Sequence, residues 1–322
     1  MSGAPSLREV VRALGGDLWD GGRRANVPAP GHSAGDRSVS LLLDGDRVVA
    51  HGFGGTGWRE VLADLRARGL VDAAGRLAGA PASRAPGPAA RTAAERRAAA
   101  ARLWAAGGPV ADTLSAAHLR RRGVGGPVPA ALRHHPAVAA AVYDDRGPRR
   151  PALLAAVQDA GGALCAVEVT YLAADGARAR ARLPRKTVGV VPAGSAVRLA
   201  PAGPRLVVAE GVFTALSAGA WFGGPAWALL STSNLRAWRP PAAVRAVLIA
   251  ADRGADGEAS ARRLAAALAA RGLAVEAVWP PAPFGDWNEA AVGTGGRRPE
   301  GGRGQASRTD GWSGPAARRP DP

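Results

Sequence analysis

The sequence holds a single cysteine, Cys165, which excludes an internal disulfide and any zinc site built from several thiolates. Glycine-rich phosphate loops are also missing. Neither G-x-G-x-x-G after a strand nor G-x-x-x-x-G-K-S/T occurs, which argues against a dinucleotide-binding fold and a P-loop ATPase. The chain lacks an uncharged apolar run of about 18 residues and an apolar signal core near its N-terminus. We therefore expect a cytoplasmic protein with no membrane span.

Acidic residues are few beside basic ones: 26 Asp and Glu stand against 42 Lys and Arg, a formal net charge of +16. This surplus indicates a polyanionic partner, with nucleic acid the first candidate and an anionic membrane surface the second. A compositional bias towards arginine is the alternative explanation. Lysine itself occurs once, at Lys186. With 322 residues, 47% of them hydrophobic, the chain is long enough for two or three domains.

Residues 1–75 are predicted to form a first unit in which a β-hairpin lies between two helices. The hairpin segment is SVSLLLDGDRVVAHGF, two strand-like runs about the turn at Asp44–Gly45. Helical spacing precedes it in LREVVRALGG and follows it in GWREVLADLRARGL, and each helix ends near a glycine. Residues 76–98 are rich in alanine, proline, arginine and glycine, which indicates a linker that runs into a helix.

Residues 99–202 are predicted to form a small α+β domain. DTLSAAHLRRRG is typical of a short helix capped by Asp112 or Thr113 and ended by a glycine. The runs ALLAAV and ALCAVEVTYL, around the turn DAGG, predict a second hairpin. Period 2 then places four side chains of its second strand on one face: Cys165, Val167, Val169 and Tyr171. Basic side chains follow that strand: Arg178, Arg180, Arg182, Arg185 and Lys186.

Residues 203–293 change to an alternation of strands and helices, which predicts an α/β domain with a mostly parallel, Rossmann-like sheet covered on both faces. Its strands are RLVVA, AWALL, VRAVLIAA and LAVEAVW. Residues 294–322 are rich in glycine, proline and arginine and show no periodicity, so we predict a disordered basic tail.

Two acids lie where ligands bind in such sheets, at the carboxyl ends of the strands. Glu210 ends RLVVA and is followed by Gly211, which allows a tight turn, while Asp252 ends AVLIAA. Carboxylates at the ends of neighbouring parallel strands can share Mg²⁺, which prefers oxygen ligands. Helix capping is the alternative role for any one of these acids. A third polar cluster, FGDWNEA, follows the last strand and offers Asp286, Asn288 and Glu289.

Three segments in this order resemble a Toprim domain, the metal-binding module of bacterial-type primases, topoisomerases and some nucleases. They are LVVAEGVFTALSA, LIAADRGADGEASA and FGDWNEA. The segment from LWAAGGPVADTLSAAHLRRRGV to ALCAVEVTYLAADG is similar to the domain that precedes Toprim in primase-like proteins of phages, plasmids and integrated elements. VPAPGHSAGDRSVSLLLDGDRVVAHGFGGTGW is similar to their zinc-ribbon-like N-terminal module. The resemblance covers roughly residues 10–292.

The resemblance implies roles for the strand-end acids. Glu210 matches the family glutamate that acts as acid/base and metal contact, and Asp252 matches the first aspartate of the D-x-D motif. The chain departs from the family at Gly254, the position of the second aspartate, and at Phe213, where primase-like relatives often carry an acid. Asp256 is the candidate to replace the lost ligand if the loop folds back, and a helix cap otherwise.

The resemblance also implies a nucleotide-binding set and a zinc site that has been lost. Lys186 lies where relatives carry a basic residue before the Toprim domain, and with Arg182 and Arg185 it is expected to contact nucleotide or template phosphate. Chance survival of a lone lysine explains Lys186 equally well. In the N-terminal module, positions that correspond to zinc ligands hold Val27, Gly52 and Thr56. His32 and His51 alone do not supply the four ligands of a structural zinc, so we expect a metal-free, degenerate module. It offers four arginines to DNA: Arg23, Arg24, Arg37 and Arg47.

The function that follows is Mg²⁺- or Mn²⁺-dependent primer synthesis on single-stranded DNA, a nucleotidyl transfer in the replication of a mobile element. No helicase motor is visible, so unwinding would need a separate replicative helicase. Two alternatives stay open: a catalytically degenerate Toprim protein that serves as a nucleic-acid-binding accessory, and a Toprim-type nuclease, because one metal supports phosphoryl transfer in either direction.

Overall fold

The computed structural model describes residues 6–52, 57–78, 91–181 and 183–295. The chain divides into two compact units, residues 1–90 and 91–322. Most of the predicted linker, nearly all of the predicted tail, Arg182 and Thr56 lie outside the described residues. Within the described ranges, none of the helices combines the length and apolar character that crossing a membrane requires.

The first unit is a four-stranded antiparallel sheet in the order β1-β2-β3-β4, packed against two helices. The predicted hairpin and both predicted helices are confirmed. The second helix buries Val61, Leu62 and Leu65 against the sheet because their spacing places them on one face. The elements are α1 (Arg8–Leu14), β1 (Asp17–Trp19), β2 (Arg24–Val27), β3 (Val39–Asp44), β4 (Arg47–Gly52) and α2 (Trp58–Ala67).

The second unit begins with two helices and a four-stranded antiparallel sheet in the order β5-β6-β7-β8. Thr92 and Glu95 form a capping box that starts the first helix. Thr113 caps the second helix, which settles the choice between Asp112 and Thr113. The elements are α3 (Ala93–Ala105), α4 (Leu114–Arg121), β5 (Leu132–Ala141), β6 (Arg146–Gln158), β7 (Leu164–Tyr171) and β8 (Arg185–Gly189).

Strand β7 corrects one detail of the predicted hairpin. Val167, Val169 and Tyr171 share a core cluster with α3, but Cys165 lies in the cluster on the other side of the sheet. The register between β6 and β7 shifts there by one residue, so the alternation of faces is interrupted at Cys165. Both faces of this sheet are buried, which period 2 alone does not reveal.

The second unit continues with a five-stranded sheet in the order β13-β12-β10-β11-β9. The first three pairings are parallel, and only the edge strand β9 is antiparallel, which confirms the predicted mostly parallel α/β sheet. The elements are β9 (Val197–Arg198), β10 (Arg205–Ala209), α5 (Val212–Phe222), β11 (Ala226–Ala228), α6 (Thr232–Ala237), β12 (Ala246–Ala250), α7 (Ala255–Ala269), β13 (Ala274–Val278) and α8 (Trp287–Gly293).

The helices cover the parallel sheet on both faces. Helices α5 and α8 pack on one face through residues such as Ala215 and Trp287, and α6 and α7 pack on the other through Leu235 and Leu264. The first of these clusters continues into the antiparallel sheet, where it includes Leu153. The two sheets of the second unit therefore share one core, and one face of the antiparallel sheet is turned towards α5.

Candidate metal centre

Glu210 and Asp252 lie near each other at the carboxyl end of the parallel sheet. Their strands, β10 and β12, pair in parallel with Ala209 opposite Ala250, so both chains leave the sheet at the same edge. Both side chains are half-buried. Asp252 Oδ1 is buried and has no hydrogen-bond partner among the described residues. The sheet thus brings together the two acids that the sequence singled out.

The electrostatics of this edge disfavour two negative charges. Burial raises the pKa of Asp252 to about 7, and the neighbouring charge of Glu210 adds to the effect. Burial also raises the pKa of Glu210, as does the charge of Asp256. The positive charge of Arg185 acts in the opposite direction on Glu210. A cation placed here would relieve the repulsion between the carboxylates.

The donor set fits a hard divalent cation. The site offers two carboxylates, and one oxygen of Asp252 is buried with no partner among the described residues. Carboxylate oxygens are ligands that Mg²⁺ takes, and Mg²⁺ fills its other positions with water and phosphate. In the described ranges, no three or more acidic, histidine or cysteine side chains converge on one point that could hold a metal. Glu210 and Asp252 are therefore the protein ligands on which a metal here would depend.

Asp256 does not join the other two carboxylates. It is ion-paired with Arg236 of α6, whose Nε also donates to Ser260 Oγ at 2.9 Å. Ser260 Oγ in turn donates to the backbone oxygen of Asp256 at 2.6 Å. In this structure the cation beside Asp256 comes from α6, a helix that the sequence pattern did not reveal, and a role of Asp256 as replacement metal ligand stays a prediction.

Gly254 and Gly257 shape the loop that follows Asp252. Gly254 has φ +115° and ψ 154°, a conformation that is accessible almost only to glycine. Gly257 approaches the strand end so closely that a Cβ atom there would lie 2.8 Å from the backbone oxygen of Asp252. The glycine in place of the second D-x-D aspartate thus belongs to a backbone conformation that disfavours any side chain.

The third polar cluster surrounds the site and holds α8 in place. Asp286 caps α8 by accepting from the backbone N–H of Glu289 at 2.7 Å, and Glu289 accepts from the backbone N–H of Gly285 at 2.8 Å. Both charges also contribute to the raised pKa of Asp252. These two acids therefore cap the helix and add to the negative potential of the site.

Asn288 and Gly211 have structural positions beside the site. Asn288 is buried, and its Nδ2 donates to the backbone oxygen of Arg122 at 2.7 Å and to Ser217 Oγ at 2.9 Å. Gly211 precedes α5 with φ −92°, which any residue adopts, so the expected tight turn does not depend on glycine geometry. A Cβ atom at Gly211 would lie 3.2 Å from Thr214 Oγ1.

The basic residues expected to bind nucleotide fall on opposite faces of β8. Arg185 pairs with Thr170, on the face turned towards α5, and its charge lowers the pKa of Glu210. Lys186 lies on the other face, where its Nζ is 5.0 Å from the centre of the Tyr171 ring and donates to the backbone oxygen of Ala140. Arg185 therefore faces the acidic site, and Lys186 does not.

Arg122 is a site residue that the sequence analysis missed. Its guanidinium lies 4.9 Å from the centre of the Phe213 ring, and its Nε is buried without a hydrogen-bond partner among the described residues. Burial lowers the pKa of Arg122, and the charges of Asp286 and Glu289 raise it. The His118 ring meets Phe213 edge-on, with 5.2 Å between the ring centres. Phe213, at the position where primase-like relatives often carry an acid, thus contacts His118 of α4.

Two family models match consecutive parts of the chain. Residues 205–296 match the model described as a Toprim domain, and residues 94–199 match one described as a domain of unknown function, DUF7146. No curated protein matches the chain.

Several solved structures are similar to the chain. The primase fragment of the bacteriophage T7 primase-helicase protein is 16% identical, with 56% of this chain and 66% of that chain covered, just under two thirds, and a TM-score of 0.38. The Aquifex aeolicus primase (zinc-binding and RNA polymerase domains) is 13% identical over 90% of this chain and 80% of that chain, with a TM-score of 0.45. The RNA polymerase domain of Mycobacterium tuberculosis primase DnaG is 15% identical over 63% and 79%, with a TM-score of 0.39.

Proposed function

We propose that this chain, whose residues 205–296 are a Toprim domain, is a primase-like protein that carries out metal-dependent nucleotidyl transfer on nucleic acid. The observation that carries the proposal is the pair of half-buried carboxylates, Glu210 and Asp252, with a buried Asp252 oxygen that has no partner among the described residues. In our proposal these two side chains hold Mg²⁺ or Mn²⁺.

The bound ion would act as a Lewis acid on a phosphoryl oxygen and relieve the repulsion between the two carboxylates. Glu210 is half-buried at this edge of the sheet and is the candidate general base. In nucleotidyl transfer its carboxylate would accept the proton of a 3′-hydroxyl as that oxygen bonds to the α-phosphorus and pyrophosphate leaves. Arg185 and Arg122, which approach from the antiparallel sheet and α4, would attract the phosphates of nucleotide and template.

We extend the proposal to the biological setting that the sequence resemblance implies. The template would be single-stranded DNA, the context the replication of a mobile element, and a separate replicative helicase would be the partner. The net charge of +16 supports a nucleic-acid partner of this kind.

A primer-synthesis assay tests the proposal. The full chain is incubated with single-stranded DNA, ribonucleotides and Mg²⁺ or Mn²⁺, and the oligonucleotide products are separated by size. We expect product, and a loss of about 100-fold or more in Glu210→Gln and Asp252→Asn, because each removes a charge that holds the metal. Glu258→Gln is the matched control, since Glu258 lies on α7 and pairs with Arg262. Absence of product, or full activity in Glu210→Gln, would contradict a synthetic role.

A second candidate is a nucleic-acid-binding accessory without catalysis. It is favoured by Gly254 in the position of the second motif aspartate and by the ion pair of Asp256 with Arg236. This alternative gives DNA binding that weakens steeply with salt and persists in EDTA, with no product and no dependence on Glu210. A nuclease is the third candidate, and shortening of an end-labelled template in the same reactions would identify it.

A further inference from the structure

A cavity of about 650 Å³ lies in the second unit between the antiparallel sheet and the β9–β11 edge of the parallel sheet. Its size is within the range of roughly 300–1,000 Å³ that small-molecule sites occupy. Alanine, leucine and proline side chains form much of its wall, and the segment 199–202, which joins β9 to β10 of the parallel sheet, lines one side. None of the lining residues belongs to the carboxylate site described above.

Two guanidinium groups line the cavity, and each lies over an indole ring. The Cζ of Arg133 is 4.5 Å from the centre of the Trp104 ring, and that of Arg198 is 4.6 Å from the centre of the Trp227 ring. Two such pairs in one cavity place flat, cationic surfaces against a largely apolar space.

Backbone carbonyl groups hold both guanidinium groups in position. Arg133 Nη1 donates to the carbonyl of Trp104 at 2.8 Å, and Arg198 Nη2 donates to the carbonyls of Asp159 and Ala160 at 2.8 and 3.0 Å. The ring of Trp227 is itself fixed, because its Nε1 donates to the carbonyl of Ala200 at 2.8 Å. The positive groups are therefore ordered before any ligand arrives.

The charge of this cavity is not balanced by acidic side chains. No Asp or Glu is among its lining residues, and in the described part of the chain neither Arg133 nor Arg198 forms an ion pair with a carboxylate. Guanidinium groups recognise phosphate through paired N–H donors, and their planes stack on flat aromatic rings. Arg198 Nη2 already donates to two carbonyl groups and Arg198 Nε is buried, so Nη1 of Arg198 and the Nε and Nη2 of Arg133 are the donors left for a phosphate. The cavity thus offers donors for a phosphate and an apolar wall for a base.

We propose that this cavity binds a free nucleoside phosphate, with its phosphates on the guanidinium groups of Arg133 and Arg198 and its base against the apolar wall. The site is separate from the carboxylate pair and does not depend on a divalent cation. Because strands of both sheets line the cavity, with Arg133 and Ala156 on one side and Arg198 and Trp227 on the other, an occupied site would connect the two sheets of the second unit. A phosphate without a nucleoside would contact the guanidinium groups but not the apolar wall.

Equilibrium dialysis of the full chain with labelled ATP in EDTA tests the proposal. EDTA removes the metal on which nucleotide binding at Glu210 and Asp252 would depend. We expect saturable binding that weakens about tenfold or more in Arg133→Gln and Arg198→Gln, because each loses a guanidinium contact to phosphate. Ala130→Trp gives a second route, since Ala130 is an exposed lining residue and a large ring there fills the cavity without a change in charge.

Controls separate this site from general electrostatic attraction. Arg263→Gln, an exposed change of the same charge on α7, and Glu258→Gln, which removes a carboxylate outside the cavity, are expected to bind ATP like the unaltered chain. Pyrophosphate is expected to compete, more weakly than unlabelled ATP. The proposal is overturned if ATP does not bind in EDTA, or if Arg263→Gln loses as much binding as Arg198→Gln. Normal binding by Ala130→Trp would also contradict it. So would displacement of the labelled ATP by an oligothymidylate as effectively as by unlabelled ATP.

Discussion

The second unit holds opposite charges in two regions and stabilises them differently. At the end of the parallel sheet, Glu210 and Asp252 are half-buried, and the charge of Glu210 adds to the raised pKa of Asp252. One buried oxygen of Asp252 has no partner among the described residues. In the cavity, Arg133 and Arg198 each lie on an indole and donate to backbone carbonyl groups. Hydrogen bonds and ring contacts within the fold stabilise these guanidinium groups, whereas the fold leaves the Asp252 carboxyl with a raised pKa.

The largest effect is expected from Asp252→Asn in metal-free buffer. The pKa of Asp252 is raised from 3.8 to about 7, so the folded chain keeps this proton where the unfolded chain has released it. The contribution of the side chain to stability is therefore lost as pH rises through that interval, and an amide avoids the loss. At pH 8 in EDTA we expect Asp252→Asn to raise the free energy of unfolding by about 2 kcal/mol, measured by chemical denaturation.

Adding Mg²⁺ sharpens this first prediction. The ion is expected to raise the melting temperature of the unaltered chain and to have little effect on Asp252→Asn, because binding to the folded state stabilises it. Glu258→Gln, which removes a carboxylate on α7 that pairs with Arg262, serves as the control. If Asp252→Asn is less stable than the unaltered chain in EDTA, the charged Asp252 carboxylate does not destabilise the folded chain.

Arg198→Gln tests the other half of the comparison and has the opposite sign. It removes the guanidinium from the Trp227 ring and from the carbonyl groups of Asp159 and Ala160. We expect the free energy of unfolding to fall by about 1.5 kcal/mol. Arg263→Gln, exposed on α7, should change it little. An increase in stability would show that, without a ligand, the fold does not stabilise the Arg198 guanidinium.

Gly254→Asp restores the family motif and tests whether the acidic edge can be completed by one substitution. An L-residue at φ +115° is strained, so we expect a loss of about 1 kcal/mol in stability. We also expect no tighter binding of Mn²⁺ in calorimetric titration, because relief of the strain moves the loop after Asp252. Gly272→Asp, at another positive-φ glycine outside the site, is the control. Tighter Mn²⁺ binding would show that the loop tolerates the restored ligand.

The smallest effect concerns His118, a buried residue of α4 whose ring meets Phe213 edge-on. Burial lowers the pKa of His118, and the nearby charge of Arg122 adds to this, while its Nδ1 contacts the backbone oxygen of Gly176 at 2.9 Å. The unfolded chain therefore takes up this proton first as pH falls, and stability decreases below about pH 6.5. We expect His118→Gln to remove this acid-side loss, so that its melting temperature at about pH 5.5, relative to pH 7.5, is higher than that of the unaltered chain. An unchanged slope would contradict a neutral folded histidine.

The sequence predicted the parts of this molecule that depend on local pattern. Apolar runs of four and six residues, each followed by an acid, marked β10 and β12, and parallel pairing then brought Glu210 and Asp252 to one edge. The same local logic predicted α2 and the hairpin of β3 and β4. In each case neighbours in sequence carry the information, and tertiary structure only confirms it.

The rest depends on contacts between distant segments. Helix α6 has six residues, too few for a periodic signal, so the partner of Asp256 could not be foreseen. Arg122 is one of three consecutive arginines, and only the contact with Phe213 distinguishes it. Strand β8 was not predicted because its first residues are basic rather than apolar. Once the strand is known, the alternation of side chains places Arg185 and Lys186 on opposite faces.

The position of Lys186 has a practical consequence for chemical labelling. Burial lowers the pKa of this only lysine to about 8, so near that pH about half of its amine is neutral and nucleophilic. An amine-reactive dye would therefore attach to one defined side-chain position, on the sheet face opposite Arg185. A fluorophore at that position would report on the antiparallel sheet without occupying the acidic edge.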